Sequence, residues 1–484
     1  MASSSGISAP PVPTGVEPPL CVDLDGTLVK SDTLLDGLCL FARRKPLQFW
    51  RVPLWLLQGR AHLKFEVAKR VQLDPARLPY NTALLRFLHS ERRGGRQIFL
   101  ATGADAGVAE RVASHLGIFE GVFASDSATN LTSDRKLARV REQLGEFDYI
   151  GNSRADLPML RQARVPMLAN PSAGLRLAVR SRNIPVACSF VDRRPQLQML
   201  IKAIRVHQWA KNILLFFPLL MSHQLTRSSV GAAIAAFFCF SFMATVTYLI
   251  NDMLDIENDR RHSSKRLRPF ASGDLSVGQG LALVVAFAAS SFALLPLLPA
   301  SFALWLAVYI ASTTTYSFFL KQFAIIDVIL LSSLYTLRLL AGGAATATEI
   351  SPWLAGFSTF LFLSLAMVKR FNELENLRER GATRAHGRGY LVSDMEQIRS
   401  FGTSAATAAV VVFMLYIARS DVTTLYRHPM RLWLIVPLLI YWIFRVWLIA
   451  SRGELDDDPV VFAMRDRVSL AVGALVIAVA FTSL

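Results

Sequence analysis

Residues 251–259 read Asn-Asp-Met-Leu-Asp-Ile-Glu-Asn-Asp and directly follow a long apolar segment, residues 231–250. At the roughly 100° per residue of an α-helix, Asp252, Asp255 and Asp259 would lie on one narrow face. Three carboxylates so close together repel one another unless a divalent cation lies between them. Ionisable residues at a membrane boundary usually mark a polar site or an ion path. The spacing therefore predicts a divalent-cation site, held by these three aspartates, at the end of a membrane span.

A dense run of basic residues follows the aspartates at once, from Arg260 to Arg268. Metal beside lysine and arginine is the arrangement that binds phosphorylated or diphosphorylated substrates. In this region we expect Asn251, Lys265 and Arg266 to contact such a substrate. The alternative is a solvated acidic loop that caps a helix, because many charged segments are simply exposed to solvent.

The chain as a whole is too apolar for a soluble protein of 484 residues, since 52% of them are hydrophobic and the mean hydropathy is +0.37. Residues 1–200 read as globular, whereas the later part carries about nine apolar runs of roughly spanning length. These runs are residues 208–222, 231–250, 279–298, 301–319, 324–345, 353–368, 403–418, 431–450 and 467–484. The pattern predicts an all-α polytopic membrane domain of about nine transmembrane helices over residues 205–484.

The net charge of +16 does not indicate nucleic-acid binding, because the basic residues lie mostly between the apolar runs. With a cytoplasmic N-terminus, the loops facing inward hold sixteen Lys or Arg and the opposite loops hold four. This is the positive-inside pattern of a multi-pass membrane protein. No nucleic-acid partner is expected, and the N-terminal domain is predicted to be cytoplasmic.

Other features of composition agree with that compartment. The four cysteines have no metal-ligand spacing and resemble buried thiols of a reducing compartment. Residues 1–19 lack a basic region followed by an apolar core, so they are not a signal peptide, and we predict a disordered tail.

The N-terminal region alternates short strands with helical stretches. Residues 20–28, Leu-Cys-Val-Asp-Leu-Asp-Gly-Thr-Leu, form an apolar strand whose end carries Asp23 and Asp25 on the same side. A second strand ends at Thr102, and a third leads into the polar tip 151–156. The alternation predicts a Rossmann-like parallel α/β sheet with its site at the carboxyl ends of the strands.

Residues 18–190 resemble the haloacid-dehalogenase (HAD) phosphatase superfamily, through the Asp-x-Asp-Gly-Thr signature and the order of the later polar residues. The resemblance implies a nucleophile that takes the phosphoryl group and a general acid and base beside it. The implied roles are nucleophile for Asp23, acid and base for Asp25, phosphoryl binding for Thr102 and Lys136, and Mg²⁺ ligation for Asp23, Asp25, Asn152 and Asp156.

The resemblance also sets the expected domain limits: a phosphatase domain over 20–190, a mostly helical cap over 31–95 and a linker or interfacial helix over 191–204. One departure is Asn152, where the family has Asp, which removes one charge from the metal site. A catalytically silent scaffold is therefore the alternative to an active phosphatase. The cap segment 49–57 is unusually apolar, and either contacts the membrane or a lipid substrate or packs in the cap core.

Residues 205–484 resemble the UbiA superfamily of polyprenyl-group transferases, through the aspartate motif, the basic run after it and the number of apolar runs. The resemblance implies that the aspartates bind Mg²⁺, which holds the diphosphate of the donor. Prenyltransferases of this family carry a second acidic motif on a later loop. Here residues 368–374 read Val-Lys-Arg-Phe-Asn-Glu-Leu, which is basic where acid is expected.

Further polar residues within or beside the apolar runs complete the predicted substrate contacts. They are Lys211, Tyr316, Lys321, Asp327, Arg338, Lys369, Arg370 and Glu373. A charged residue inside an apolar helix is costly and is usually kept for a polar site. Arg338 lies about three helical turns after Asp327, so the two are predicted to share a face. The alternative for Lys369 and Arg370 is simple positive-inside anchoring.

Together these features resemble the UbiA branch that includes the decaprenyl-phosphate phosphoribosyltransferases. The resemblance implies a bacterial plasma-membrane enzyme that moves phosphoribose from phosphoribosyl pyrophosphate (PRPP) onto a polyprenyl phosphate lipid, with Mg²⁺ as cofactor. The HAD domain would then remove the 5-phosphate of the product. The main alternative is a prenyltransferase that moves a polyprenyl group from its prenyl diphosphate to a small aromatic acceptor. A transporter with an aspartate ion path is a third interpretation, and it leaves the HAD domain unexplained.

Overall fold

The computed structural model describes residues 17–222, 225–379, 381, 383, 388–424, 426–455 and 459–483. Most of the predicted tail, residues 1–16, lies outside the described residues. The chain divides into two compact units. The first comprises the residues up to 204 together with 249–282, and the second comprises 205–248 and 283–484. The loop that carries the aspartate motif therefore belongs to the same unit as the N-terminal domain.

A six-stranded sheet forms the centre of the first unit. Its strands are β1 (Leu20–Val22), β2 (Ile98–Asp105), β3 (Gly121–Ser125), β4 (Asp148–Gly151), β5 (Pro166–Ala169) and β6 (Ser189–Phe190). The order across the sheet is β3-β2-β1-β4-β5-β6, and every pair is parallel. Val22 lies between Leu100 and Ile150, and all three are fully buried. The parallel pairing confirms the prediction of a parallel α/β domain. The strand β1 is apolar throughout because it is buried on both faces of the sheet.

Within the described residues 17–204, nine helices accompany the sheet. They are α1 (Thr33–Arg44), α2 (Val52–Leu57), α3 (Arg60–Arg70), α4 (Thr82–Arg93), α5 (Ala106–Leu116), α6 (Asp134–Leu144), α7 (Leu157–Gln162), α8 (Ala173–Ser181) and α9 (Gln196–Ile204). The first four lie between β1 and β2, where the helical cap is predicted. The side chain of Asp32 begins α1 by accepting a hydrogen bond from the Leu35 amide, which satisfies a backbone donor that the first turn leaves unpaired.

The later helices are α10 (Phe217–Met221), α11 (Arg227–Leu254), α12 (Ile256–Arg261), α13 (Val277–Leu294), α14 (Ala300–Phe318), α15 (Ile326–Thr346), α16 (Pro352–Glu379), α17 (Met395–Ile417), α18 (Ser420–Thr423), α19 (Ile435–Ser451), α20 (Pro459–Arg465) and α21 (Arg467–Ser483). A 3₁₀ segment, Val206–Phe216, precedes α10. Gly342 of α15 allows this segment to approach closely, because a Cβ there would come within 2.3 Å of the Leu215 carbonyl oxygen.

Six helices of the described residues are long and apolar enough to cross a membrane. They are Arg227–Leu254, Val277–Leu297, Ile326–Thr346, Pro352–Glu379, Val392–Ile417 and Pro429–Ser451. An integral membrane protein follows from these helices. The other three predicted spans correspond to the 3₁₀ segment with α10, to α14, which ends in a polar Thr-Thr-Thr-Tyr-Ser stretch, and to the shorter α21. The count of nine spans stays a prediction.

Candidate active sites

The carboxyl ends of the central strands open onto a cavity of about 400 Å³ in the first unit. All six HAD residues that the sequence singles out line this cavity: Asp23, Asp25, Thr102, Lys136, Asn152 and Asp156. They come from separate parts of the chain, and the parallel sheet brings them together because its strands end at one edge.

Lys136, on α6, lies at the centre of this group and is buried. Its Nζ is 2.9 Å from Asp23 Oδ1 and 3.2 Å from Asp156 Oδ1. It also donates to the hydroxyl oxygen of Tyr149 at 3.0 Å, and that hydroxyl donates to Asp156 at 2.7 Å. Tyr149 is a residue that the sequence reasoning missed. Its place on β4, two residues before Gly151, is a signal that would have pointed to this edge.

The surroundings give the aspartates different proton affinities. Burial raises the pKa of Asp23 to about 6, although Lys136 opposes the shift. Burial, followed by the negative charge of Asp32, raises the pKa of Asp25 well above its ordinary value. Burial also disfavours the charged form of Asp156, yet Lys136 and Tyr149 outweigh it and lower the pKa of that carboxyl. A protonated Asp25 beside an ionised neighbour is the division of roles that a general acid and a nucleophile need.

Asn152 packs directly on the turn after the two aspartates. Gly26 in this turn has φ +75°, and a Cβ there would lie 1.9 Å from Asn152 Nδ2. Glycine is therefore required for the amide to reach the strand end. Carboxylate and amide oxygens are ligands that Mg²⁺ accepts, commonly as one or two carboxylates completed by water and phosphate. The donor set fits this ion, although no group of three or more His, Cys, Asp or Glu in the described part of the chain is arranged as a metal site.

Additional cationic residues line the same cavity, namely Lys30, Lys64 and Arg193. Lys64, on cap helix α3, donates to the Gly103 carbonyl and, at 2.7 Å, to the side chain of Asn130. These residues suit an anionic ligand. Sequence reasoning missed all three, because an isolated basic residue carries no motif that distinguishes it from a surface lysine or arginine.

The aspartate motif does not lie on one continuous helix, contrary to the expectation. α11 ends at Leu254, and Asp255 is the residue that precedes α12. Arg268 Nη1 lies 3.1 Å from Asp252 Oδ1 and 2.9 Å from Asp259 Oδ2. Asp255 instead lies 3.4 Å from the Nε of Arg43. Two of the three carboxylates, those of Asp252 and Asp259, therefore converge on one cationic nitrogen.

The convergence of Asp252 and Asp259 shows that this position suits a cation. Both carboxylates are buried, and burial raises the pKa of Asp259 to about 6 although Arg268 opposes the shift. Two carboxylates meet the requirement of a Mg²⁺ ion that also binds water and substrate phosphate. Of the other predicted contacts, Asn251 lies half-buried in the last turn of α11, and Lys265 and Arg266 are exposed in the turn that follows α12.

In the second unit, Arg370 is the centre of a buried ionic cluster. Its Nε donates to Asp327 Oδ2 at 2.6 Å, and its Nη1 donates to Glu373. The Tyr390 hydroxyl donates to the other oxygen of Asp327 and accepts from the Ile325 amide at 2.8 Å. The sequence predicted the first three residues as substrate contacts, and the structure joins them to one another. Tyr390 was missed, because it lies 63 residues from its partner.

Arg338 is not paired with Asp327, although both are on α15. Its Nε donates to Asn212 Oδ1 at 2.9 Å, and Asn212 in turn donates to Ser241 Oγ at 2.9 Å. The guanidinium also lies over three aromatic rings, at 5.3 to 5.5 Å from the centroids of Phe240, Tyr309 and Tyr335. Cation–π contact and hydrogen bonds together stabilise a charge that would otherwise be costly in an apolar helix.

Two predicted basic residues, Lys211 and Lys369, line one cavity of about 50 Å³ together with Tyr335. The Nζ of Lys211 lies 5.8 Å from the centroid of that ring. The remaining predicted residues lie elsewhere in the unit: Tyr316 is half-buried near the end of α14, and Lys321 is in the 3₁₀ turn that follows it.

Comparison with known proteins gives the family of the chain. The sequence model of the UbiA prenyltransferase family matches residues 213–477, which is more than half of the chain. The uncharacterized protein y4nM of Sinorhizobium fredii is 36% identical over 95% of this chain and 89% of its own length. The decaprenyl-phosphate phosphoribosyltransferase of Mycolicibacterium smegmatis is 32% identical over 56% of this chain and 88% of its own length.

A solved HAD family hydrolase from Salmonella enterica serovar Typhi is similar to the N-terminal part, with 15% identity, a TM-score of 0.27 and coverage of 34% of this chain and 67% of that chain. In the N-terminal unit of this protein, the Asp-x-Asp-Gly-Thr sequence that begins at Asp23 directly follows the central strand β1. The chain is a membrane transferase, and it belongs to the UbiA prenyltransferase family.

Proposed function

We propose that this protein transfers phosphoribose from PRPP to a polyprenyl phosphate, and that its HAD unit removes the 5-phosphate of the product. The observation that carries the proposal is the basic character of the second unit, where Lys211 and Lys369 share a cavity. PRPP brings a diphosphate and a 5-phosphate, and the acceptor brings a third anion, so cations suit this substrate pair better than more carboxylates. Relatives named decaprenyl-phosphate phosphoribosyltransferase, 31–40% identical to this chain, support the same choice.

In the proposed transfer, an oxygen of the acceptor phosphate attacks C1 of the ribose while the bond from C1 to pyrophosphate breaks. Asp252 and Asp259, with Asp255, would hold Mg²⁺, which when bound supplies positive charge for the departing diphosphate. Lys211 and Lys369 would bind phosphate oxygens and orient them. The pyrophosphate leaves with both electrons of the broken bond, and the new bond joins the ribose to the lipid phosphate.

In the proposed hydrolysis, Asp23 attacks the phosphorus of the ribose 5-phosphate, and the ribose oxygen leaves with a proton from Asp25. Asp25 then takes a proton from a water molecule whose oxygen attacks the phosphorus, and the bond between phosphorus and Asp23 breaks. Inorganic phosphate leaves, and the Asp23 carboxylate is restored. Lys136 would stabilise the negative charge on the transferred phosphoryl group, and a Mg²⁺ ion held by Asp23 and Asp156 would supply further positive charge when bound. The raised pKa of Asp25 supports its role as the acid.

The topology that we propose has nine membrane crossings and a cytoplasmic HAD unit in the bacterial inner membrane. The support is the excess of Lys and Arg in alternate loops, which orients membrane proteins during insertion. This topology would place the phosphatase on the same side as the loops that carry the transfer residues.

The test uses the purified full-length protein with Mg²⁺, a polyprenyl phosphate and labelled PRPP. We expect label in a lipid-soluble product, and none with the Asp252→Asn variant. A parallel reaction contains a prenyl diphosphate and a small aromatic acceptor instead. Product in this second reaction alone would overturn the proposal in favour of a prenyltransferase.

A further inference from the structure

The cap of the HAD unit exposes a cluster of large apolar side chains. They belong to the segment 46–57, a 3₁₀ turn (Pro46–Arg51) followed directly by α2. Six of its side chains are 41–84% exposed: Leu47, Phe49, Trp50, Leu54, Leu56 and Leu57. A contiguous apolar patch of this kind on a folded unit marks a surface that another apolar medium covers.

The segment is firmly attached to the cap, so its exposure is not that of a loose loop. Trp55 points inward, is buried, and lies 5.5 Å from the ring of Phe41. The guanidinium of Arg70 on α3 lies over the Trp55 ring, 4.4 Å from its centroid. The buried Trp55 side chain thus attaches the segment to the cap, while the six apolar side chains named above remain exposed.

The charges beside the patch are of one sign. Between Asp36 and Glu66 the chain has no carboxylate side chain and six lysines or arginines. Four of these cations are exposed: Arg44, Lys45, Arg51 and Arg60. Tryptophan and leucine beside lysine and arginine are the composition of segments that lie in the headgroup region of a bilayer. Such cations add electrostatic attraction to an anionic lipid surface.

A separate observation connects the patch with the membrane boundary. Arg43, three residues before the segment, lies 3.4 Å from Asp255. Asp255 directly follows Leu254, the last residue of α11, which is one of the helices long and apolar enough to cross a membrane. The start of the apolar segment is therefore held beside the end of a candidate span.

From these contacts we propose that residues 46–57 are an interfacial membrane anchor, with the apolar side chains among the lipid headgroups and the four exposed cations on anionic lipids. The inference needs neither of the activities proposed above. If the phosphatase function also holds, the anchor has a consequence, because α3 follows the segment directly and carries Lys64 to the catalytic cavity. That cavity would then be held at the surface where lipid-linked phosphates are located.

The test measures depth in the bilayer with the full-length protein in nanodiscs. The half-buried Cys39 and Cys188 are first replaced by Ser, and a single Leu57→Cys is labelled with an environment-sensitive fluorophore. The matched control is Leu177→Cys on α8, which replaces a leucine of the same unit that is also exposed but outside the segment. Substitution of such exposed side chains leaves the fold intact.

We expect lipids brominated in the acyl chain to quench the label at position 57 several-fold more than the label at position 177. Quenching should weaken in discs of phosphatidylcholine alone relative to discs with phosphatidylglycerol. Quenching at position 57 should weaken to the same extent, in discs with phosphatidylglycerol, when Arg44, Lys45, Arg51 and Arg60 are replaced together by Gln. Equal quenching at the two positions would overturn the anchor, as would cross-linking through position 57 between two copies of the chain in place of lipid contact.

Discussion

Arg260 donates a hydrogen bond of 2.8 Å from Nη2 to Oδ2 of Asp36, and both side chains are almost completely buried. Ser31 completes the contact, since it accepts from Arg260 at 3.0 Å and donates to Asp36 at 2.6 Å. Asp36 belongs to the first cap helix, whereas Arg260 directly follows Asp259 of the aspartate motif. The N-terminal α/β domain and the motif loop are therefore joined by an ion pair within one folded unit.

This ion pair leads to the first prediction. Asp36→Leu removes the partner of a buried guanidinium, which costs about 3–5 kcal/mol. We expect a lower thermal transition of the unit and, because Arg260 adjoins Asp259, a lower rate of phosphoribosyl transfer. The control is Asp74→Asn, which breaks an exposed cap pair with Arg77 at 2.9 Å and should change neither measurement. Unchanged transfer in Asp36→Leu would show that the pair is only structural.

The second prediction separates the three aspartates. Asp252→Asn and Asp259→Asn should lower the transfer rate about 100-fold or more, because a metal ion contributes several kcal/mol of charge stabilisation. Asp255→Asn should have a smaller effect, since its carboxylate pairs with Arg43. Initial rates over a series of Mg²⁺ concentrations measure this order. Glu257→Gln, in the same motif but paired with Arg261 at 3.2 Å, should keep most of the activity.

A third prediction distinguishes Lys369 from its neighbour. Lys369→Ala should raise the KM for PRPP with little effect on thermal stability, because Lys369 lines a cavity. Arg370→Ala should mainly destabilise the protein, because it removes the nearer of two guanidinium groups beside the buried Asp327 and leaves only Arg388, at 3.6 Å. Thermal unfolding in detergent and steady-state kinetics, measured on both variants, distinguish a loss of stability from a change in KM. A normal KM in Lys369→Ala would remove that residue from the PRPP site.

The fourth prediction concerns the phosphatase nucleophile. Asp23→Asn should leave phosphoribosyl transfer intact and make the 5-phosphorylated lipid accumulate. Loss of a covalent nucleophile lowers the hydrolytic rate by several orders of magnitude. Mass spectrometry of the extracted lipid compares wild type with the variant. Identical phosphorylated products would mean that the HAD unit does not act on this lipid.

Asn152 provides the fifth prediction. Asn152→Asp restores a carboxylate without changing the size of the side chain, so the close contact at Gly26 is kept. Added negative charge should lower the Mg²⁺ concentration needed for half-maximal phosphate release. Titration of phosphate release against Mg²⁺ measures the shift in both proteins. An unchanged requirement would place Asn152 outside the metal shell.

The sequence by itself determined the features that depend on neighbouring residues. The apolar strand before Asp23 and the order of later polar residues predicted a parallel sheet with one polar edge, because strand ends and side-chain alternation are local properties. Long apolar runs likewise predicted membrane helices, since spanning a bilayer requires a minimum length of apolar chain. The same local patterns located the basic residues Lys211 and Lys369, but not their shared cavity.

Only the tertiary structure decided which charges meet. Arg370 pairs with Asp327, which lies 43 residues away in the sequence. This pairing depends on how α15 packs against α16, and it cannot be predicted from residue spacing. The pairing of Asp255 with Arg43 of the first cap helix likewise depends on tertiary packing, whereas Asp252 and Asp259 both lie near Arg268. Whether the apolar cap segment lies inside or outside was also open in the sequence, because an apolar side chain is equally compatible with a protein core and a membrane surface.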